Sequence, residues 1–427
     1  MTSAGSGQQQ PRARAAVVAR RGKIWLVPTI LSALVALFLS LLYMGGILNL
    51  RGNLHHLPIA LVDTDQGPSL PGQRQTLGEQ LSRAVIASTP AGTVQWRRID
   101  QAQMQDQLAS GKIYGALIVP ADFTASVAAL TTPRAAVRPA LTVLTNPGLG
   151  SLGSSLASQI TQGAAHQASL TIGRQLTAQA TGKGSDTRLR VLLADPVTVA
   201  TQVGRPIGRH SGVGLTAFYY TLLLVLGAFV GGNVINNGVD AGLGYTDNEI
   251  GPWHSRRPTV PISRTQTLLL KMLMTAGIAV LTTSLILITT VAILGMDASH
   301  LPLLWAFSFC ASLAVGLGVQ AINAAFGGIG QVVSMFVFIA LALPSSGATV
   351  PLQAVPVFYR FLALFEPMRQ LSDGVRAILY FDARADAGLS RGWSMIAIGI
   401  ATALLFGFAM TRYYDRKGLH RLTPRAA

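Results

Sequence analysis

The sequence predicts an α-helical integral membrane protein with six transmembrane helices and an α/β extracytoplasmic domain inserted between helices 1 and 2. Three observations predict it. Only 12% of the 427 residues are charged, half are hydrophobic, and the mean hydropathy is +0.44. A soluble domain carries about 25% charged residues. Runs without a single charge recur at 24–50, 211–239, 272–296, 301–359 and 392–411. Residues 51–210, of more ordinary composition, separate the first two runs.

A spanning helix needs about 20 apolar residues at a rise of 1.5 Å across a core of roughly 30 Å. Four of the runs fit one helix each. The run 301–359 fits two, with Phe326-Gly327-Gly328-Ile329-Gly330 as the hairpin between them. The expected spans are 24–48, 213–237, 270–294, 303–325, 330–344 and 393–411. The first follows a basic tail, 1–23, with Arg12, Arg14, Arg20, Arg21 and Lys23. Its apolar run far exceeds the roughly 7–15 residues of a signal-peptide core, so it reads as a retained anchor rather than a cleaved leader.

Lysine and arginine in the short segments set the orientation. The tail 1–23, the connection 240–271 (Arg256, Arg257, Arg264, Lys271) and the tail 412–427 (Arg412, Arg416, Lys417, Arg421, Arg425) are all basic. An even number of spans places all three on one side, the cytoplasmic face of the bacterial plasma membrane. The segment 360–391 also holds five arginines, offset by Glu366, Asp373, Asp382 and Asp386. Most of the net charge of +16 is thus topological rather than a sign of nucleic-acid binding.

Within 51–210, the apolar run 57–62 reads as a strand followed by the turn Asp63-Thr64-Asp65-Gln66-Gly67-Pro68. Helices are expected at 77–87 and 101–109, and strands at 93–99, 113–119 and within 137–145. Strands alternating with short helices suggest a small α/β unit with parallel pairing. Small and apolar residues at helical spacing predict one long helix over 151–181. The run 191–203 then leads back to the membrane.

Several chemistries are missing. Cys310 is the single cysteine, so no disulfide framework or Cys-rich metal site is encoded. Asp63 and Asp65 begin like a calcium loop, but no further ligand pattern follows and a turn is the better reading. Gly111-Lys112 and Gly182-Lys183-Gly184-Ser185 lack the upstream glycine of a nucleotide cradle. His55-His56 has no acidic or cysteine neighbour in sequence and reads as an interfacial pair. No hydrolase elbow or metalloprotease motif is present. The expectation is a non-enzyme without cofactor or metal. The predicted helix cores carry no ionisable residue, which weighs against an autonomous proton-driven carrier. Gln320 and Asn323 lie three apart on one face of the fourth span, and Asn233, Asn236 and Asn237 cluster near the inner end of the second. They serve either interhelical hydrogen bonding or a polar track for a substrate.

Two segments carry a recognisable pattern. Glu249-Ile250-Gly251, Pro258, Pro261-Ile262-Ser263-Arg264 and Lys271 resemble the E-x-G … P-[VI]-S-R … K signature of ABC type-2 exporter permeases. The resemblance implies that this loop forms a coupling helix contacting a separate ATPase, with Glu249, Gly251, Pro261, Ser263 and Arg264 as coupling candidates. His254-Ser255-Arg256-Arg257 departs from the more apolar stretch usual there. Ser345-Ser346-Gly347-Ala348-Thr349-Val350-Pro351 … Pro356 … Pro367 … Gly374 resembles the segment before the last span in that superfamily, where short helices dip into the outer leaflet. Within 346–391, Glu366, Arg369, Asp373 and Arg376 share one helix face and apolar residues cover the other. Such a helix can lie at the interface with its charges toward water, or pack on the external domain.

The external domain sharpens the resemblance. Its opening, Leu57-Pro58-Ile59-Ala60-Leu61-Val62-Asp63-Thr64-Asp65-Gln66-Gly67, is similar to the L-P-x-A-x-V-N-x-D-x-G start of the YhgE/Pip (phage-infection-protein-like) family. Gly111-Lys112-Ile113-Tyr114 through Pro120-Ala121-Asp122-Phe123 resembles that family's G-x-x-Y-x-x-x-x-I-P-x-D-F-S run. The related nitrosoguanidine-resistance membrane domain shares the layout. The resemblance implies a homodimeric permease subunit in the lipid bilayer, with a separate ABC ATPase, exporting a lipophilic or amphipathic compound. The competing class is a non-transporting scaffold, secretion accessory or phage-receptor-like protein acting through the external domain.

Overall fold

The computed structural model describes residues 22–67, 76–130, 138–180, 193–255, 257–419 and 421. The expectations placed on Arg12, Arg14, Arg20, Arg21, Arg256, Arg425 and 182–185 lie outside the described residues.

Helix α1 (Gly22–Ile47) leads into an α/β domain. Its strands are β1 (Leu57–Asp63), β2 (Val94–Arg98), β3 (Gly115–Val119), β4 (Ala140–Thr145) and β5 (Thr198–Val203), in the sheet order β2-β1-β3-β4-β5. Strand β1 is buried at six of its seven positions, as a central strand covered on both faces must be. It runs parallel to β2 and to β3, with Ile59 opposite Trp96 and Gly115. Strand β4 runs antiparallel to β3, with Leu117 opposite Val143, and β5 is parallel to β4. The expected parallel pairing therefore holds everywhere except at β3–β4. Helices α2 (Leu77–Ser88), α4 (Phe123–Ala129) and α5 (Ser151–Ala180) cover one face through Leu81, Phe123, Ala165 and Ile172 against Leu61, Leu117 and Val143. Helix α3 (Gln101–Ala109) covers the other with Met104 and Leu108 against Ala60, Val62 and Ala116. Asp65 accepts the backbone N–H groups of Gly67, Gly78 and Thr124. It is a fully employed turn residue, in line with the turn reading.

Among the described residues, five helical segments are long and apolar enough to cross a membrane, which makes this a multi-pass membrane protein. They are the 29–47 part of α1, α6 (Thr216–Gly242), α7 (Arg264–Leu287, continued by a π-turn Ile288–Ile293), a composite segment Leu301–Ser345, and α13 (Leu389–Arg416). Large apolar side chains such as Leu273, Leu281 and Leu405 stand exposed on these helices, as they do where lipid is the solvent. The composite segment is not one rod. Its 45 residues would span about 68 Å, twice a bilayer core. Helix α8 (Leu301–Phe326) stops at Gly327, whose φ of +61° ends it. Residues then return as α9 (Gly330–Met335), a π-turn (Phe336–Ala340) and α10 (Ala342–Ser345). A Cβ on Gly318 of α8 would lie 2.6 Å from the Phe338 ring, so the second limb folds back along the first. Helix α1 leans on that limb, with the Phe38 and Phe336 rings 6.1 Å apart and Tyr359 donating to the Leu41 carbonyl at 3.0 Å.

Helix α8 is the hub. Small residues bring its neighbours close: a Cβ at Gly316 would meet Thr275 of α7 at 2.6 Å, one at Gly232 of α6 would meet Val319 at 3.0 Å, and one at Gly407 of α13 would meet Ala321 at 3.1 Å. Between α10 and α13 the chain forms α11 (Val357–Phe365) and α12 (Pro367–Tyr380), joined at Glu366. One end of α12 reaches the start of α6, where Tyr380 Oη accepts the Ala217 N–H at 3.2 Å. The other end plunges between α8 and α13, where Pro367 and Leu371 share a cavity wall with Ala314, Gly318, Ile396 and Gly399.

The α/β domain is seated on the end of the bundle where α6, α8 and α13 begin. Lys112 pairs with Asp386 at 2.7 Å and Arg384 with Asp106 at 2.8 Å. The Phe381 ring lies against Gly111, whose φ of +64° and 3.1 Å clearance favour glycine there.

Candidate functional site

The site is built where α6, α7 and α8 meet. Gln320 and Asn323 are 0% and 2% exposed. Gln320 donates through Nε2 to the Gly232 carbonyl at 2.9 Å and to Thr275 Oγ1 at 3.2 Å. Asn323 donates to Asn233 Oδ1 at 3.0 Å. Toward the helix ends away from the domain, Gln331 donates to Asn237 Oδ1 at 2.9 Å and Asn236 to the same oxygen at 3.2 Å. Lys271 Nζ then donates to Asn236 Oδ1 at 2.7 Å and meets Asp240 at 2.8 Å. Arg421 binds the same carboxylate oxygen of Asp240. Polar side chains thus cluster along the last two turns of α8 and the facing parts of α6 and α7, down to one end of the bundle.

The amide donors are consumed by these contacts, but Gln320 Oε1 and Asn323 Oδ1 have no partner. Gly232 and Thr275, the two partners of Gln320, line a space of only about 20 Å³ together with Gly231, Ser312 and Gly316. That admits one water at most. Both residues named from the sequence as pathway candidates are engaged in interhelical hydrogen bonds, Gln320 to α6 and α7 and Asn323 to α6.

The connection between α6 and α7 projects from the same end. It holds a two-stranded hairpin, β6 (Asn248–Ile250) and β7 (Trp253–Ser255), with Glu249 opposite His254. Gly251, with φ +59°, and Pro252 are the two loop residues, an arrangement suited to a type II′ turn. Glu249 is exposed and Trp253 is 76% exposed. Pro261, Ser263 and Arg264 do different work. Ser263 caps α7 in a reciprocal box with Gln266, both bonds 3.1 Å, and Pro261 precedes it. Arg264 ties α7 to the end of α13. Its guanidinium stacks on Tyr414 and donates to the Leu419 carbonyl at 2.6 Å, while its N–H and that of Thr265 donate to Asp415 at 3.0 Å. Of the coupling candidates, Glu249 and Gly251 sit on the projecting tip, and Ser263 and Arg264 hold the frame.

Glu366, Arg369, Asp373 and Arg376 do share a face of α12, but that face turns inward rather than toward water. Arg376 donates to the Ala348 carbonyl at 2.7 Å and the Leu149 carbonyl at 3.3 Å, pinning the domain to the bundle. Asp373 lies 3.6 Å from Arg376 and 4.0 Å from Arg369. Glu366, 6% exposed, caps α12 by accepting the Met368 N–H at 2.7 Å. The reason is that α12 is packed on several sides: by α6, α8 and α13 and by the 147–150 turn of the domain.

Sequence reasoning does not bring Lys271, Asp240 and Arg421 together as a cluster. Lys271 and Asp240 fall inside α7 and α6 because both helices run past the apolar stretches, and Arg421 meets Asp240 only through the fold of the C-terminal segment. The available signal was that Lys271 and Asp240 each stand at the edge of an uncharged run.

A crystal structure of a domain assigned to an ABC type-2 transporter from Thermotoga maritima MSB8 aligns with 38% of this chain and 98% of its own length, at 17% identity and a TM-score of 0.24. No curated protein matches. The family model described as a protein of unknown function, DUF3533, matches residues 27–399, and the chain belongs to that family.

Proposed function

We propose that this protein is the membrane subunit of an ABC type-2-like exporter, with six crossings, both termini in the cytoplasm and a separate ATPase, working as a homodimer on a lipophilic or amphipathic compound. The observation that carries the reading is the polar cluster from Gln320 to Asp240, which ends beside the projecting hairpin 248–255. A route and a docking element then share one end of the bundle. The fold-back of residues 330–345 along α8 supports six crossings. The orientation is supported by charge: Lys23, Lys271, Arg412, Arg416, Lys417 and Arg421 gather at the end away from the α/β domain. The YhgE/Pip-like motifs at 57–67 and 111–123 fall on β1, β3 and the turns after them, where they build the sheet.

A second reading, a scaffold acting through its external domain, is favoured by one feature. The loop resembling a coupling element is a β-hairpin, not a helix. A topology reporter decides the premise of the export reading. A reporter active only in the cytoplasm is expected to be active after Arg425 and silent within 120–180. The opposite pattern puts the hairpin outside the cell and overturns the proposal.

A further inference from the structure

We propose that helix α11 binds an anionic phospholipid of the leaflet on the α/β domain's side, with Arg360 holding the phosphate and acyl chains covering the apolar stripe of the helix. The inference goes beyond the export reading and needs no ATPase.

Arg360 carries the argument. Its side chain is half-buried, and among the described residues its guanidinium makes no ion pair and no hydrogen bond. Its Nε is shut away from solvent without an acceptor. A guanidinium offers five donors in a fixed fork that fits a phosphate, and a buried donor left unmade is costly.

The segments around Arg360 hold no acid to pair with it. The linker after α1 and the stretch leading into α11 meet at this rim: the His55 N–H donates to the Gln353 carbonyl at 2.7 Å, and Tyr359 donates to the Leu41 carbonyl. Residues 48–62 and 346–365 together carry Arg51, His55, His56 and Arg360, and not one Asp or Glu. The next carboxylate along α11, Glu366, accepts the Met368 N–H, and Asp373 beyond it lies against Arg376 and Arg369. The rim is therefore basic without compensation, which complements an anionic headgroup.

The apolar part of the ligand is set by α11 itself. Val357, Phe358, Phe361, Leu364 and Phe365 form one stripe at helical spacing, each more than half exposed, while Tyr359 and Ala363 face the protein. Arg360 stands one turn before Leu364, at the border of that stripe, so a phosphate on its guanidinium has its chains beside the exposed rings. The depth fits as well. Tyr359 touches α1 at Leu41, a Cβ on Gly45 would lie 2.7 Å from its hydroxyl, and the α1 span ends at Ile47. Six residues of helix are about 9 Å. Arg360 thus sits near the domain-side boundary of the membrane, where a long basic side chain reaches the headgroup layer.

Native mass spectrometry of the full-length protein, stripped of lipid in detergent, tests the site. The protein is titrated with dioleoylphosphatidylglycerol, with dioleoylglycerol, which has the same chains and no phosphate, and with inorganic phosphate. Wild type is expected to take up the phospholipid saturably, to bind dioleoylglycerol at least about ten-fold more weakly, and to hold no free phosphate. Arg360→Gln is expected to weaken phospholipid binding by about ten-fold and to leave dioleoylglycerol binding unchanged. Phe361→Ser, which breaks the stripe, is expected to weaken both lipids. If Arg360→Gln does not fold, the wild-type contrast between the two lipids decides. Equal phospholipid affinity in wild type and Arg360→Gln, or equal affinity of wild type for the two lipids, overturns the site. Inorganic phosphate bound as tightly as the phospholipid overturns it too, because the chains would then contribute nothing.

Discussion

Lys271 of α7 and Asp240 of α6 form a buried ion pair, 2.8 Å apart with side chains 4% and 12% exposed. It closes the polar cluster at the end of the bundle where the hairpin projects. Asn236 and Arg421 complete the hydrogen bonding, so neither charge is left bare. Breaking such a pair from one side leaves an uncompensated charge, whereas removing both partners does not. Asp240→Leu strands the Lys271 ammonium and is expected to lower stability by about 3–5 kcal/mol, whereas Lys271→Leu leaves Asp240 paired with Arg421 and should cost less. The double change Asp240→Leu with Lys271→Leu should recover a large part of the Asp240→Leu loss. Thermal unfolding in detergent measures both, and strictly additive losses would show that the two side chains do not interact.

Helix contact through glycine makes a second prediction. Gly316 and Gly231 lie in the same part of the bundle, but only the first has a neighbour within reach. A Cβ at Gly316 would press on Thr275 Cγ2 at 2.6 Å, and one at Gly231 would meet nothing within 4 Å. Gly316→Val is expected to cost about 1–3 kcal/mol by overpacking, and Gly231→Ala to be neutral. The midpoint of thermal unfolding for the two variants checks it; matching midpoints would contradict the packing of α7 on α8.

The seat of the α/β domain responds to acid. Hydrogen bonds from Arg384 and Lys112 hold the Asp386 carboxyl down to about 2. A depressed carboxylate stabilises the folded state above its ordinary value near 4 and stops doing so as pH falls through about 2. Wild type should therefore exceed Asp386→Asn in stability above pH 4, and the gap should close between pH 4 and 2. Both partners are exposed, so the gap should be small and shrink in high salt. A gap that widens on acidification would contradict the assignment.

Much of this fold is legible in the sequence, because two periodicities carry it. The uncharged runs mark the apolar helices, and 57–62 with its following turn marks the central strand. The starts of helices are less legible. Helix α7 begins at Arg264 rather than 270 because Ser263 and Gln266 cap it. The orientation of α12 is not legible either. A helical wheel places Glu366, Arg369, Asp373 and Arg376 on one face but does not say what covers that face, and here it is the Leu149 and Ala348 carbonyls. The reversal of β4 against β3 has no counterpart in strand composition. The Gln320–Asn323 pair is legible as a pair, while its partners on α6 and α7 are fixed only by tertiary packing.

The coupling candidates separate by experiment. Glu249 is exposed on a hairpin tip, so Glu249→Ala should leave thermal stability unchanged within about 0.5 kcal/mol. Arg264→Ala removes the bond to the Leu419 carbonyl and the stacking on Tyr414 and should free the 417–421 segment. Limited proteolysis is expected to cut that segment faster in Arg264→Ala than in wild type. Equal protection in the two would mean that Arg264 does not hold it.

The central claim is that the hairpin 248–255 docks a separate ATPase, and affinity purification in mild detergent tests it most directly. The full-length chain is recovered from its native membrane, and co-purifying chains are identified for wild type, Glu249→Ala and Trp253→Ser. The account predicts an ATPase subunit in the wild-type preparation and a clear loss of it from Trp253→Ser, with the variant still inserted and folded. A wild-type preparation without any ATPase, or one whose ATPase content ignores both tip substitutions, would contradict the account.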